Sequence, residues 1–237
     1  MLPLADHNPT RSRPVVTWLL IAANLLAFLY EKAAIVTLGE RFVFDWGFVP
    51  ARFLALPIEE LPTLLTSMFL HGGLMHLLGN LWFLYIFGDN VEEALGKARY
   101  VAFYLVSGVV AAFAQLAIDP SSVIPMVGAS GAIAGVLGGY ALRYPRAPVT
   151  VLTPFFFAVE LPAWLVIGLW FVVQVVSGVG SLAGDGGGVA FFAHIGGLLA
   201  GLAMMALVGR PPPRPRRPVY VLRGDLDDWR PPPRYRY

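Results

Sequence analysis

Cysteine is absent from the 237 residues, and charged residues are scarce. Without cysteine there can be no disulfide, no thiolate metal site and no cysteine nucleophile, so a covalent catalyst would have to be Ser, Thr, Lys or a carboxylate. Asp, Glu, Lys and Arg make up 14% of the chain, against about a quarter in soluble domains. Hydrophobic residues make up 57%, and the mean hydropathy is +0.66. Too few polar side chains remain to cover a surface in water, so the composition excludes a soluble globular protein and predicts a lipid environment.

The charged residues that are present divide the chain into six apolar windows, each close to the length of about 20 residues that crosses a bilayer. The windows are Pro14 to Tyr30, Leu61 to Gly88, Tyr100 to Ile118, Pro120 to Leu142, Leu161 to Gly184 and Gly186 to Gly209. Pro120 and Pro125 shorten the fourth window, so its helix is expected to run from near Val127 to Arg143. The sequence therefore predicts an all-α fold, a polytopic bundle of six transmembrane helices.

The basic residues indicate the orientation of these helices. With the amino terminus inside, fourteen of the seventeen lie on the inner side and three, Lys32, Arg41 and Arg52, on the outer side. Positive charge is retained in the cytoplasm, so both termini are predicted to be cytoplasmic. No organelle-type targeting signal is apparent, which favours a bacterial inner membrane. The predicted parts are a cytoplasmic segment (1–13), a membrane-embedded domain (14–209) and a Pro/Arg-rich cytoplasmic tail without apolar periodicity (210–237).

Ser130 is a functional candidate because polar side chains inside a span cost free energy. It lies in Gly128-Ala129-Ser130-Gly131, where the short fourth helix is predicted to start. The unpaired N–H groups and positive dipole end of a helix start would stabilise a developing negative charge. The flanking glycines permit a sharp turn and a close approach. The alternative is that these small residues, with Gly135, serve only helix packing.

His194 lies a few residues inside the sixth window, which enters the membrane from the same predicted side as Ser130. Gly197 and Gly201 give this window a small-residue face that could pack on the glycines of the fourth window. That packing would bring hydroxyl and imidazole within hydrogen-bond reach. A neutral imidazole could then take the serine proton as a general base. The alternative is a buried histidine that only bridges helices.

The second window holds His71, His76 and Asn80. His76 and Asn80 are four residues apart and share a helical face, so an imidazole N–H and an amide could both donate to an oxyanion. Alternatively, Asn80 bridges helices, and His71 is expected to order a loop. A metal site is not expected, because the spacing of the histidines does not suit one and no H-E-x-x-H motif is present.

No carboxylate lies near these histidines within the apolar windows. A Ser-His dyad is therefore the simplest catalytic arrangement, with the imidazole oriented by packing or hydrogen bonding. The fifth window offers Trp170 and Gln174 as wall or gate residues of a substrate path, or as ordinary packing residues.

Three motifs together carry a family resemblance. HGGLMHLLGN (71–80), GASG (128–131) and AHIGGLLAG (193–201) occur in this order among six spans, and over roughly residues 14 to 208 the chain resembles the rhomboid intramembrane serine proteases. The resemblance implies that Ser130 is the nucleophile and His194 the base. It implies an oxyanion site formed by His76, Asn80 and the Ser130 amide.

The resemblance also implies supporting roles for His71, Gly128 and Gly131. It implies cleavage of peptide bonds in or beside transmembrane segments of other proteins, in a water-accessible cavity and without metal or cofactor. Transmembrane protein substrates and the lipid bilayer are the expected partners. A nucleic-acid partner is not expected, and the sequence leaves the oligomeric state open.

Two positions depart from the family pattern. The Trp-Arg pair of the first outer loop is missing, since Glu59 to Thr63 precede Leu64, and the aromatic residue four after the nucleophile is replaced by Ala134. Glu92 resembles a family acidic position with a structural role.

Two other functions stay open. One is a catalytically silent rhomboid-like protein that binds membrane clients, which would need neither Ser130 nor His194, and the other is a proton-coupled transporter. A transporter is expected to have intramembrane carboxylates and inverted repeats, and neither is visible.

Overall fold

The computed structural model describes residues 2–153, 155, 157–182 and 189–208, so the predicted tail (210–237) lies outside the described residues. The described part is mostly helical. Its helices are α1 (Val15–Leu38), α2 (Arg41–Trp46), α3 (Pro50–Ala55), α4 (Thr63–Thr66), α5 (Leu74–Leu95), α6 (Lys97–Ile118), α7 (Ser130–Arg143), α8 (Ala163–Leu182) and α9 (Phe191–Leu207), with a 3₁₀ turn at Ser67–Phe69.

Within the described residues, α1, α6 and α8 are long and apolar enough to cross a membrane, and α9 is a shorter apolar helix. A count of six membrane crossings stays a prediction. The first helix is longer than predicted. The first apolar window ends at Tyr30, whereas α1 continues to Leu38 with Glu31 buried inside the fold.

The fourth window forms a helix that begins at Ser130 and ends at Arg143. Its start lies three residues later than expected, because Gly128 adopts a positive φ of 124°, a conformation that favours glycine and turns the chain. At about 1.5 Å per residue its 14 residues span roughly 21 Å, less than a hydrocarbon core of about 30 Å. A helix this short can begin below the surface of the bilayer.

Helices α6, α7 and α9 form the centre of the molecule and approach each other through small residues. A Cβ atom added at Gly197 would stand 2.0 Å from the carbonyl oxygen of Gly131, and one added at Gly201 would stand 1.9 Å from that of Gly135. On the other face of α7, a Cβ at Gly135 would meet the Ser107 hydroxyl of α6 at 2.1 Å. Only glycine permits these backbone distances, so the three helices are held in one fixed arrangement.

A small sheet was not predicted and corrects the all-α expectation. Strands β1 (Leu2–Asp6), β2 (Pro148–Leu152) and β3 (Ala158–Pro162) pair antiparallel in that order. The sheet ties the amino-terminal segment to the connection between α7 and α8. Beside it, the Tyr140 hydroxyl donates to an Asp6 carboxylate oxygen at 2.7 Å. Burial raises the pKa of Asp6 to about 6, against its ordinary 3.8, although the Tyr140 hydrogen bond acts in the opposite direction.

Two charged side chains, Arg52 and Glu92, fix segments around the central helices. The Arg52 guanidinium pairs with Glu60 at 2.7 Å and donates to the Gly47 carbonyl, so an arginine from α3 anchors the loop that lacks the Trp-Arg pair. Glu92 of α5 accepts hydrogen bonds from the backbone N–H groups of Val16 and Thr17. This contact caps the start of α1 and gives Glu92 a structural role.

Candidate active site

The Ser130 hydroxyl and the His194 imidazole lie side by side. Ser130 is the first residue of α7, and His194 lies in the first turn of α9. The Ser130 Oγ–H donates to His194 Nε2 at 2.7 Å. The glycine contacts between α7 and α9 produce this approach, because they bring the two backbones together just below the two side chains. Both side chains are only partly buried, so the pair is accessible.

Two residues of α8 hold the other side of the imidazole. His194 Nδ1–H donates to Gln174 Oε1 at 2.7 Å. The Trp170 ring lies one helical turn earlier, with its centroid 5.8 Å from that of the imidazole and the two planes 39° apart. Sequence reasoning placed both residues in the right window but gave neither a contact with His194. Their four-residue spacing was the available signal, because it puts them on one face of a helix.

His76 and Asn80 reach the same place from α5. A Cβ atom at Gly128 would stand 2.7 Å from His76 Nε2 and 3.6 Å from Asn80 Nδ2, so the glycine lets both side chains approach the turn that precedes Ser130. Asn80 is only 6% exposed. Its Nδ2 has no hydrogen-bond partner among the described residues, which leaves a buried donor directed at this region.

His71 lies just before α5 and is fully buried. Its backbone N–H donates to Glu31 Oε2 at 2.8 Å, and its ring contacts His76 edge-on at a centroid distance of 5.2 Å. His71 thus supports His76 rather than facing Ser130.

Glu31 is the residue that sequence reasoning missed. As a carboxylate between apolar runs it was interpreted as a helix boundary, whereas inside the fold its carboxylate accepts a hydrogen bond from the His71 amide and pairs with the Lys32 ammonium.

The Ser130–His194 pair lines a cavity of about 800 Å³, a volume within the usual range of small-molecule binding clefts. The polar lining residues around the pair are His76, Asn80, Ser130 and His194, and Trp170 forms part of the apolar wall. Among the described residues, no group of three His, Asp or Glu side chains is arranged to hold a metal ion. The arrangement offers a nucleophile, a base and hydrogen-bond donors in one place, which is the set that acyl transfer requires.

Comparison with known proteins identifies the family of the chain. The model of the Rhomboid domain matches residues 59–211. The putative rhomboid protease YdcA of Bacillus subtilis (strain 168) is 34% identical over 131 residues, which are 55% of this chain and 62% of that protein. Rhomboid protease GluP of the same organism is 30% identical over 199 residues, 84% of this chain and 36% of that protein.

Rhomboid protease GlpG of Salmonella choleraesuis (strain SC-B67) is 29% identical over 196 residues, 80% of this chain and 61% of that protein. The chain thus spans between about a third and three fifths of the length of these relatives. The family match covers more than half of the chain and all three motifs, and α1, α6 and α8 are apolar enough to cross a membrane. The chain is a multi-pass membrane protein that belongs to the rhomboid family.

Proposed function

We propose that this protein is an intramembrane serine endopeptidase that hydrolyses peptide bonds in or next to transmembrane segments of other membrane proteins. The observation that carries the proposal is the 2.7 Å hydrogen bond from Ser130 Oγ to His194 Nε2 inside the cavity. The names of the relatives, rhomboid proteases, support it. A protein that only binds clients needs no such bond between a nucleophile and a base.

The reaction follows from the positions of these groups. Ser130 Oγ attacks the scissile carbonyl carbon while its proton passes to His194 Nε2. The negative carbonyl oxygen of the tetrahedral intermediate accepts hydrogen bonds from Asn80 Nδ2, an N–H of His76 and the Ser130 amide. His194 then gives its proton to the leaving amine, and an acyl-enzyme remains on Ser130. A water molecule, deprotonated by His194, then attacks the ester carbonyl carbon. The bond between that carbon and Ser130 Oγ breaks, the carboxylic acid product leaves, and His194 returns the proton to Oγ.

The substrate must reach Ser130 as an extended strand, because a helical backbone holds its amides in its own hydrogen bonds. Gly, Pro or polar residues near the cleaved bond weaken a transmembrane helix and favour its opening. The entrance for such a segment lies beside α8, whose apolar side chains are largely exposed. In the cell, we place the protein in a bacterial inner membrane with both termini in the cytoplasm.

Proteolysis is tested with the full chain reconstituted in lipid vesicles with a transmembrane substrate that carries Gly and Pro residues in its outer half. The wild-type protein is expected to cleave it. Ser130→Ala removes the nucleophile and is expected to abolish cleavage, and His194→Ala nearly so, because the two residues act as a unit. Cleavage retained by folded Ser130→Ala protein would contradict the proposal. A folded wild-type protein that binds the substrate without cleaving it would favour the client-binding alternative.

A further inference from the structure

Helix α8 supplies both contacts that orient the imidazole of the proposed base. Ala134, four residues after Ser130, carries only a methyl group, and no carboxylate contacts His194 among the described residues. We propose that Gln174 and Trp170 are positioning residues for His194, Gln174 by fixing its tautomer and Trp170 by fixing its ring plane. This inference rests on the proposed proteolytic function.

The tautomer follows from the chemistry of the amide oxygen. Gln174 Oε1 has no hydrogen, so the 2.7 Å bond to His194 Nδ1 requires the proton to be on Nδ1. In a neutral imidazole the lone pair is then on Nε2, which is the atom 2.7 Å from Ser130 Oγ. The opposite tautomer would place a proton between the two and prevent Nε2 from accepting the serine hydrogen. Gln174 is only 8% exposed, so water does not readily replace it as the acceptor.

Trp170 acts on the same ring from the preceding turn of α8. Its centroid lies 5.8 Å from the imidazole centroid, within the range of about 6 Å over which an aromatic face stabilises a cation. When the serine proton reaches Nε2 the ring becomes an imidazolium. The tryptophan face then stabilises this charge, while Gln174 Oε1 keeps its hydrogen bond in both protonation states.

Because both residues lie on α8, the orientation of His194 depends on the position of this one helix. Most outward side chains of α8 are exposed, among them Val172, Val173 and Val176, whereas Gln174 is buried. If α8 moves outward, the acceptor for Nδ1 and the aromatic contact are lost together. The pair on α8 therefore holds His194 in its reactive orientation only while α8 lies against α9.

The test compares Gln174→Met, which keeps the length of the side chain without the acceptor oxygen, with Gln174→Glu, which keeps an acceptor. In the vesicle assay, Gln174→Met is expected to lower kcat by about 10- to 100-fold, the loss that follows removal of the hydrogen-bond partner of a metal-binding histidine, with KM changed less than about twofold. Gln174→Glu is expected to restore most of kcat. Trp170→Leu is expected to lower kcat, and Trp170→Phe to retain more of it. The matched control is Val106→Leu, on α6 away from the cavity and 46% exposed, with unchanged kcat.

Thermal unfolding of each variant in detergent separates orientation from folding. If Gln174→Met folds poorly, the rate at which its folded fraction is labelled by a fluorophosphonate gives the same readout, and slowed labelling supports the proposal. If Gln174→Met had the kcat of the wild type, or if Gln174→Met and Gln174→Glu lost kcat equally, the positioning role of Gln174 would be overturned. Cleavage by the wild type would still support the proposed function in that case. Absence of cleavage and labelling in the wild type would instead contradict the proposed function.

Discussion

Asn80 is a buried asparagine whose Nδ2 has no hydrogen-bond partner among the described residues. A buried donor without a partner lowers the stability of the fold by about 1–3 kcal/mol. This cost is understandable if the Asn80 amide finds its hydrogen-bond partner only when an oxyanion forms beside Ser130. Asn80→Ala is expected to lower kcat about a hundred- to a thousandfold, the usual effect of losing one oxyanion donor, without lowering the melting temperature. Steady-state cleavage and thermal unfolding measure the two effects.

The control for Asn80 is Asn24, a fully buried asparagine of α1 whose Nδ2 donates to the Leu20 carbonyl. Asn24→Ala is expected to lower stability while leaving kcat unchanged. An unchanged rate in Asn80→Ala would assign Asn80 to packing between helices.

At the residue scale, the approach of Ser130 to His194 could be predicted where chemistry and backbone signals coincide, and the catalytic roles of the two residues stay predictions. Ser130 was found from its glycine neighbours and helix start, and His194 from its place beside a second glycine stripe. The contacts of Gln174 and Trp170 with His194 could not be predicted. Their spacing shows that both lie on one face of α8, but it does not show that this face is turned toward α9. Glu31 was misread because burial of a carboxylate depends on a partner amide forty residues away along the chain.

At the scale of elements, the packing of α7 on α9 determines whether Ser130 meets His194. A Cβ at Gly201 would stand 1.9 Å from the Gly135 carbonyl oxygen and 2.6 Å from its carbonyl carbon, and backbone atoms cannot move without separating the helices. Gly201→Ala is therefore expected to cost about 1–3 kcal/mol or more of stability and most of the activity. Thermal unfolding and vesicle cleavage measure both.

Gly168→Ala is the matched control, because nothing lies within 4 Å of a Cβ at Gly168 of α8. Alanine is favoured over glycine in a helix by about 1 kcal/mol, so this variant should be at least as stable as the wild type and as active. If Gly201→Ala behaved like Gly168→Ala, the close backbone contact of α7 and α9 would be wrong.

The small sheet shows where element prediction failed. Strands of five residues give too short a pattern to stand out in an apolar sequence, and β1 pairs with a segment more than 140 residues away. Such pairing is set by tertiary contacts rather than by local preference. The helices, by contrast, were predictable because the scarce charges mark most of their ends.

The docking of β1 is expected to depend on pH through Asp6. Because burial raises the pKa of Asp6 to about 6, the folded state favours the protonated carboxyl. Its contribution to stability is present below the ordinary pKa of 3.8 and is lost as the pH rises through about 6. Asp6→Asn, which does not titrate, should therefore gain stability relative to the wild type as the pH rises from about 4 to about 6.5. Thermal unfolding measures this, and a difference that does not change with pH would contradict it.

At the scale of the whole molecule, the predicted orientation is testable because the chain has no cysteine. A single introduced cysteine therefore supplies the one thiol of this chain that a membrane-impermeant maleimide can label. Ser121, in the connection between α6 and α7, and Arg146, just after α7, are both exposed. Ser121→Cys is expected to be labelled in intact cells, and Arg146→Cys only after permeabilisation. Labelling of Arg146→Cys in intact cells would reverse the orientation.

The central claim is that one hydroxyl, activated by one imidazole, forms the covalent intermediate. The most direct measurement is fluorophosphonate labelling of the full chain in lipid, with the adduct located by mass spectrometry. The account predicts an adduct on Ser130 in the wild type, none on Ser130→Ala protein and strongly slowed labelling in His194→Ala, because Nε2 accepts the serine proton. An adduct on another residue, or equal labelling rates in the wild type and His194→Ala, would contradict it.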